Sequence, residues 1–244
     1  MVITSLDNEN VKKWKKLQKR KYRDEYGQYI VEGLHLVREA FARGALVEVI
    51  LEEHEEVIFP CPHTMVTREI IEKISTLDNP VNIMGLCRKL NRDEVVGNKI
   101  LILDEIQDPG NLGTIIRSAV AFNIDTIILS ENTVDLYNPK VLRATQGMFF
   151  YTNIIRRNAG EVITLLNNMD IPVYGTDVVD GVDVRNLSSD EKKKFALVMG
   201  NEGNGVRKEI ADACDKNLYI AMNKDAESLN VAIAASILLY ELGR

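Results

Sequence analysis

Cysteine is scarce in this chain: Cys61, Cys87 and Cys214 are the three in 244 residues. They lie far apart, with no CxxC pair and no histidine beside them. That excludes a disulfide framework and a zinc site, and predicts free thiols, no metal and a reducing cytoplasm. No apolar run reaches the roughly 18 residues that a membrane-spanning helix needs. The opening MVITSLDNEN has no basic stretch followed by an apolar one, so no secretion signal is expected. Two phosphate-binding fingerprints are also missing. The glycine loop GNEGNG at 200–205 is spaced G-x-x-G-x-G, which is neither the dinucleotide pattern nor the Walker pattern. The first strand of the second half leads into DEIQDPGNLG, without the glycine spacing of a nucleotide-dependent oxidoreductase.

What is present is an ordinary globular composition, 45% hydrophobic and 27% charged, with a net charge of −6. The overall sign disfavours a nucleic-acid partner, but the distribution does not. KKWKKLQKRKYR at 12–23 carries eight lysines and arginines and no acid. Such density suits contact with a phosphate backbone, and it suits a solvated helix face equally. Val11, Trp14 and Leu17 recur at three-residue spacing, so the run predicts a helix with one apolar seam that buries Trp14.

Strands and helices alternate throughout. The first 90 or so residues read as a small α/β unit, with strands at QYIVEG, LVEVIL, HTMV and NIMGLCR and helices at LHLVREAFARG and TREIIEKIS. The polar stretch KLNRDEVVGNK at 89–99 reads as a linker, which gives domains of 1–95 and 96–244. The second part opens with the buried strand KILILDEI and alternates strictly to the end. That pattern predicts a parallel sheet covered on both faces, with ligands beyond the carboxyl ends of its strands.

Three polar loops follow such strands. In DEIQDPGNLGTIIRSA, Asn111 is a candidate helix cap and Arg117 lies on an otherwise apolar helix, either functional or paired with Asp104 or Glu105. In GNEGNG, Glu202 would repel a phosphate, so the glycines fit either a close approach to a neutral or cationic ligand or a tight turn without one. In IAMNKDAESLNVAIAASILLYE, Ser228 is a candidate cap of the last helix and Asn230 lies in its first turn.

These three blocks resemble the three motifs of the SpoU (TrmH) family of RNA 2′-O-ribose methyltransferases, within the trefoil-knotted SPOUT superfamily. The resemblance is carried by Asn111, Gly113 and Arg117, by Gly200, Asn201, Glu202, Gly203 and Gly205, and by Ser228, Leu229, Asn230 and Val231. ITSLDNENVKKWKKL and YIVEGLHLVREA resemble the signature stretches of the family's N-terminal, ribosomal-protein L30e-like substrate-binding domain. Two departures are visible: Ala221 stands where the family usually has proline, and Thr145 where it usually has serine.

The resemblance implies a small α/β domain followed by a deeply knotted, parallel-sheet α/β domain that forms homodimers. It implies S-adenosylmethionine as cofactor, held at Met199, Gly200, Asn201, Gly203, Ile220, Met222 and Leu229. The implied catalytic set is Arg117, Asn111, Glu202, Ser228 and Asn230, and the implied reaction is methylation of a ribose 2′-hydroxyl, most readily in ribosomal RNA. Transfer RNA, or a non-catalytic RNA-binding or ribosome-assembly role, are the alternatives. The basic run, through Lys12, Lys13, Lys16, Arg20 and Arg23, would supply phosphate affinity. A base is hard to find, because His35, His54 and His63 all lie in the first half and a guanidinium ordinarily keeps its proton.

Overall fold

The computed structural model describes residues 2–90, 92–178 and 181–243. The chain begins with β1 (Val2–Ile3), α1 (Glu9–Lys16), α2 (Arg20–Tyr26), β2 (Gln28–Glu32) and α3 (Leu34–Ala42). It continues through β3 (Leu46–Glu52), β4 (His63–Val66), α4 (Arg68–Ile74) and β5 (Ile83–Arg88). Then follow β6 (Lys99–Leu103), α5 (Pro109–Ala121), β7 (Thr126–Leu129), α6 (Pro139–Thr145) and β8 (Asn153–Arg156). The last part holds α7 (Ala159–Asn168), β9 (Val173–Thr176), β10 (Val182–Asp183), β11 (Phe195–Met199), α8 (Lys208–Ala211), β12 (Lys216–Tyr219) and α9 (Val231–Leu242). Among the described residues no helix is long and apolar enough to cross a membrane.

Two compact units result: Met1–Asn91 with Asp135–Phe150, and Arg92–Val134 with Tyr151–Arg244. The first holds a mixed five-stranded sheet in the order β1-β4-β3-β5-β2. One helical layer buries Val11 and, from the basic run, Trp14 and Leu17 against Ile70, Ile71 and Ile74 of α4. The run is two helices, not one. α1 ends at Lys16 with Leu17 as its C-cap, and α2 restarts after Lys19, whose extended backbone is its cap.

The excursion 135–150 belongs to the first unit for a physical reason. Phe149 packs edge-on to Tyr29 at 6.1 Å, Tyr137 lies 4.6 Å from the same ring, and Asp135 takes a 2.6 Å ion pair from Arg23. Within it, the buried Thr145 hydroxyl donates to Leu142 O and accepts from Gly147 N. A serine in its place could make the same two bonds, so that departure from the family pattern leaves the turn intact. Deleting residues 1–95 strips Tyr29 from Phe149, now buried at 4% exposure. The truncated chain is expected to self-associate, visible by light scattering. A monodisperse truncated chain with the parent's solubility would contradict this packing account.

The second unit is a seven-stranded, all-parallel sheet in the order β10-β12-β9-β11-β6-β7-β8. KILIL and FALVM take the two central strands because apolar runs suit a sheet buried on both faces. On one face Ile100, Ile102, Ile128 and Ile155 meet Val162, Ile163 and Leu166 of α7. Because all strands run the same way, the loops after β6, β9, β11 and β12 leave from one edge of the sheet.

Candidate active site

Neighbouring strands set the neighbourhood of the site. β11 lies between β6 and β9, and β12 flanks β9. The glycine loop after β11 turns back on itself, with Asn201 and Gly205 exchanging two backbone hydrogen bonds of 2.9 Å. A Cβ on Gly200 would overlap the backbone of Gly205 and Val206, so only glycine fits there.

Side chains then tie this loop to its neighbours. The Asn201 amide donates to Glu105 O at 2.9 Å, and its carbonyl accepts from Gly203 N and Asn204 N. Glu105 itself sits at φ 62°, a left-handed backbone that is uncommon for a residue with a side chain. Glu202 reaches the start of α5, where its carboxylate accepts from Gln107 N, Asp108 N and the Asn111 amide. Burial pushes the Glu202 carboxyl up, but these donors, Asp108 N foremost, outweigh it and hold the group below the usual glutamate range. Asn111 in turn accepts from the Asn230 amide at 2.9 Å, and Asn230 caps α9 through Ala232 N and Ile233 N. One hydrogen-bonded chain, Glu202 to Asn111 to Asn230, thus joins the three loops.

The helix caps differ from the sequence reading. Asp108 caps α5 by accepting from Asn111 N, and Pro109 opens the helix where no N–H is needed. Asn111 therefore spends its side chain on the other two loops. Asn230, not Ser228, caps α9, because its carbonyl reaches the first free amides while Ser228 lies two residues earlier.

Arg207 fixes the far end of the glycine loop. Its guanidinium binds both oxygens of Asp104, which is fully buried, with contacts of 2.7 to 3.2 Å. Beside Asp104 the guanidinium is held above its ordinary value. Arg207→Ala would strip a buried carboxylate of its guanidinium and leave it the backbone N–H of residue 207 at 3.4 Å. The expected cost is near the lower end of about 3–5 kcal/mol, since the arginine is partly solvated. A thermal melt checks this, and Asp104→Ala with Arg207→Ala should melt above Arg207→Ala alone. An unshifted single variant would remove the pair from the account.

A cavity of about 200 Å³ lies inside this frame. Met199, Gly200, Asn201, Gly203, Ile220, Met222 and Leu229 line it, as do Glu202 and Ser228. Asn111, Asn230 and Arg117 are not among its walls. Thr176, Asp177 and Val178 line it without having been singled out from the sequence, as do Leu218 and Tyr219. Their signal was available: YGTD ends a parallel strand, and such ends face the ligand. Among the described residues no lysine, arginine or histidine lines the cavity, whereas Asp177 and Glu202 do. That wall repels phosphate and suits a ligand with a positive centre.

Arg117 is exposed on α5 and has no ion-pair or hydrogen-bond partner among the described residues. The acids that the sequence offers it are engaged elsewhere, Asp104 with Arg207 and Glu105 with Arg207 and Asn132.

The profile of the SpoU rRNA methylase family matches residues 98–240, which contain all three loops. The chain belongs to the SpoU rRNA methylase family. The MRM3-like substrate binding domain matches residues 8–85. Among curated relatives, the 23S rRNA (guanosine(2553)-2′-O)-methyltransferase RlmP of Bacillus subtilis strain 168 is 37% identical, over 98% of each chain. Among solved structures, an AdoMet-bound rRNA methyltransferase from Sinorhizobium meliloti is 31% identical with a TM-score of 0.87, covering 99% of this chain and 97% of its own. An RNA 2′-O ribose methyltransferase structure is 27% identical with a TM-score of 0.83, covering 99% and 98%.

The SpoU basic run is placed unevenly. Lys16 is exposed and Lys13 half-buried. Lys12 is drawn to Glu9 at 3.2 Å and Asp7 at 3.7 Å, and Arg20 lies 3.6 Å from Asp24. Arg23 is a correction. It is 3% exposed, donates to Leu17 O and Gln18 O, and pairs with Asp135. It is a brace inside the first unit and cannot contact RNA without unfolding it.

Proposed function

We propose that this protein transfers the methyl group of S-adenosylmethionine to a ribose 2′-hydroxyl in ribosomal RNA. The observation that carries the reading is a cavity lined, among the described residues, by two carboxylates and no basic group, framed by three family loops tied through Glu202, Asn111 and Asn230. The likeness to RlmP supports ribosomal RNA, and a 23S guanosine ribose in particular. The match of the substrate binding domain supports RNA recognition by residues 1–95 and methyl transfer by 96–244.

When bound, the cofactor supplies an electrophilic methyl group on a cationic sulfur. Gly200, Ile220 and Leu229 offer backbone groups for its adenosine, and Asp177 and Glu202 suit its charge. Transfer would form the oxygen–methyl bond and break the sulfur–methyl bond, leaving the neutral thioether S-adenosylhomocysteine, and the hydroxyl proton would pass to water. The positive charge disappears in the step, so positioning is the main task of the protein. Arg117 clamps a neighbouring phosphate and aligns the ribose, because a planar guanidinium holds an anion at two points. Ser228 lines the approach, and Asn111 and Asn230 hold the loops.

The active form is a homodimer through the second unit. α9 exposes Ile233 and Tyr240, each at 50%, with Phe122 against the Tyr240 ring at 5.8 Å. A second copy would cover this apolar face and bring its own Arg117 near the cavity, which Arg117 does not line within one chain. The trefoil knot belongs to the same reading. It is supported by the position of β12, which inserts between the earlier strands β9 and β10. The cytoplasm, where ribosomal RNA and the cofactor meet, is the compartment.

Calorimetry with S-adenosylmethionine tests the reading, with one site per chain as the expected result. No heat at millimolar cofactor would favour a non-catalytic RNA-binding factor.

A further inference from the structure

At the end of the basic run, α2 presents a pair of aromatic rings one turn apart. Tyr22 and Tyr26 stack with centroids 6.2 Å apart and planes 18° from parallel. Tyr26 is packed against the core of the first unit, so it is a fixed base for the pair. Tyr22 is half-buried. The Lys16 and Lys21 ammonium groups lie 5.5 and 5.8 Å from the Tyr22 ring centre, and Lys13 lies 5.5 Å from that of Tyr26.

These cations are not neutralised. Lys13, Lys15, Lys16, Lys19 and Lys21 have no carboxylate within 4.0 Å among the described residues, unlike Lys12 and Arg20. Lys15 of α1 instead meets Lys73 of α4, and this like charge, with Lys19, holds its ammonium below the ordinary lysine value. Alternating signs mark a solvated, salt-bridged helix face, and Lys13, Lys16 and Lys21 around these rings have no such partners among the described residues. Crowded like charge around an aromatic ring marks a surface whose anion comes from outside.

Nucleic acid meets both features at once. Each base has a flat face that stacks on an aromatic side chain, and each phosphate suits a lysine. In a duplex the bases stack on one another and are closed to such a ring, so the fitting partner is unpaired RNA. Lysines resting on the ring by cation–π contact are on flexible stems and can swing from the ring to the arriving phosphates.

We propose that Tyr22 is a stacking platform for an unpaired RNA base, with Lys16 and Lys21 holding the flanking phosphates. The inference rests on the RNA methyltransferase reading and adds to it where, and in what form, the RNA is gripped. It also gives the basic run a role beyond diffuse charge.

The test uses the full chain and a short single-stranded oligouridylate, with an RNA duplex of equal length, read by fluorescence anisotropy over a range of salt. Tyr22→Leu is expected to weaken single-strand binding about tenfold without changing the salt slope, and Tyr22→Phe to bind like the parent. Lys16→Gln with Lys21→Gln should reduce the slope by about 0.7 per lost phosphate contact. Crosslinking of a thiouridine-bearing oligonucleotide to the parent needs no variant and should map to α2. The proposal is overturned if Tyr22→Leu binds like the parent, if the duplex binds as tightly as the single strand, or if the crosslink maps away from α2. If the parent binds neither RNA, the proposal falls, and calorimetry with the cofactor on the same sample shows whether the methyltransferase reading falls with it.

Discussion

Arg117→Ala is expected to abolish methyl transfer while leaving the fold and the cofactor affinity of the parent. The side chain is exposed and has no partner among the described residues, so its removal breaks no internal contact. Surface changes of that kind usually stay within about 0.5 kcal/mol of the parent stability. It does not line the cavity, so the cofactor contacts are untouched. The loss should appear in turnover, by about a hundredfold or more if Arg117 positions the reacting ribose. Arg117→Lys separates the roles. A point charge would restore part of the rate if any cation served, but a clamp needs the planar fork that lysine lacks. The lysine variant is expected to be nearly as poor as the alanine variant, with RNA affinity reduced far less than turnover. Single-turnover assays decide this. An alanine variant close to the parent rate would make Arg117 a solvated surface residue.

Gly200→Ala is expected to remove cofactor binding, with at least a tenfold rise in Kd as the threshold, on the order of the 1.4 kcal/mol that a factor of ten represents. The added methyl would overlap the backbone of Gly205 and Val206, where the loop closes on itself. Backbone cannot rotate aside as a side chain can, so the loop must open, and overpacking of this kind costs about 1–3 kcal/mol of stability. Gly203 is the control on the same loop. A Cβ there would meet nothing nearer than Asn201 Oδ1 at 3.6 Å, an ordinary contact. Gly203→Ala should therefore bind the cofactor within a few-fold of the parent. Calorimetry on the two variants side by side checks this, and equal affinities would mean that the tight closure at Gly200 does not shape the site.

Much of the fold was legible because it is written in local pattern. KILIL reads as a buried strand of a parallel sheet, and it takes that place between two parallel neighbours. Trp14 reads as a seam residue and is 1% exposed. What was not legible depends on partners distant in sequence. Arg23 looks like its basic neighbours until Asp135, 112 residues away, claims it. Asp108 and Asn111 are both good capping residues three apart, and propensity does not choose between them. The choice follows from Glu202, which takes the Asn111 amide from another loop. The excursion 135–150 reads as one more helix of the second half, and only the buried faces of Tyr137 and Phe149 on Tyr29 assign it to the first unit. In the site, the motif loops stand out as glycine and polar residues within apolar sequence. Thr176 and Asp177 do not, since they simply end a strand.

The central claim, methylation of a ribose 2′-hydroxyl in ribosomal RNA, is tested most directly by mapping 2′-O-methyl groups in ribosomal RNA from cells with and without the gene. The purified protein and S-adenosylmethionine are then added to the unmethylated RNA, beside the same RNA carrying a 2′-deoxy residue at the affected position. The account predicts one site lost with the gene and restored by the protein, at a 23S guanosine, with no methylation of the deoxy control. Unchanged ribosomal RNA, or methyl groups appearing on the deoxy control, would contradict it.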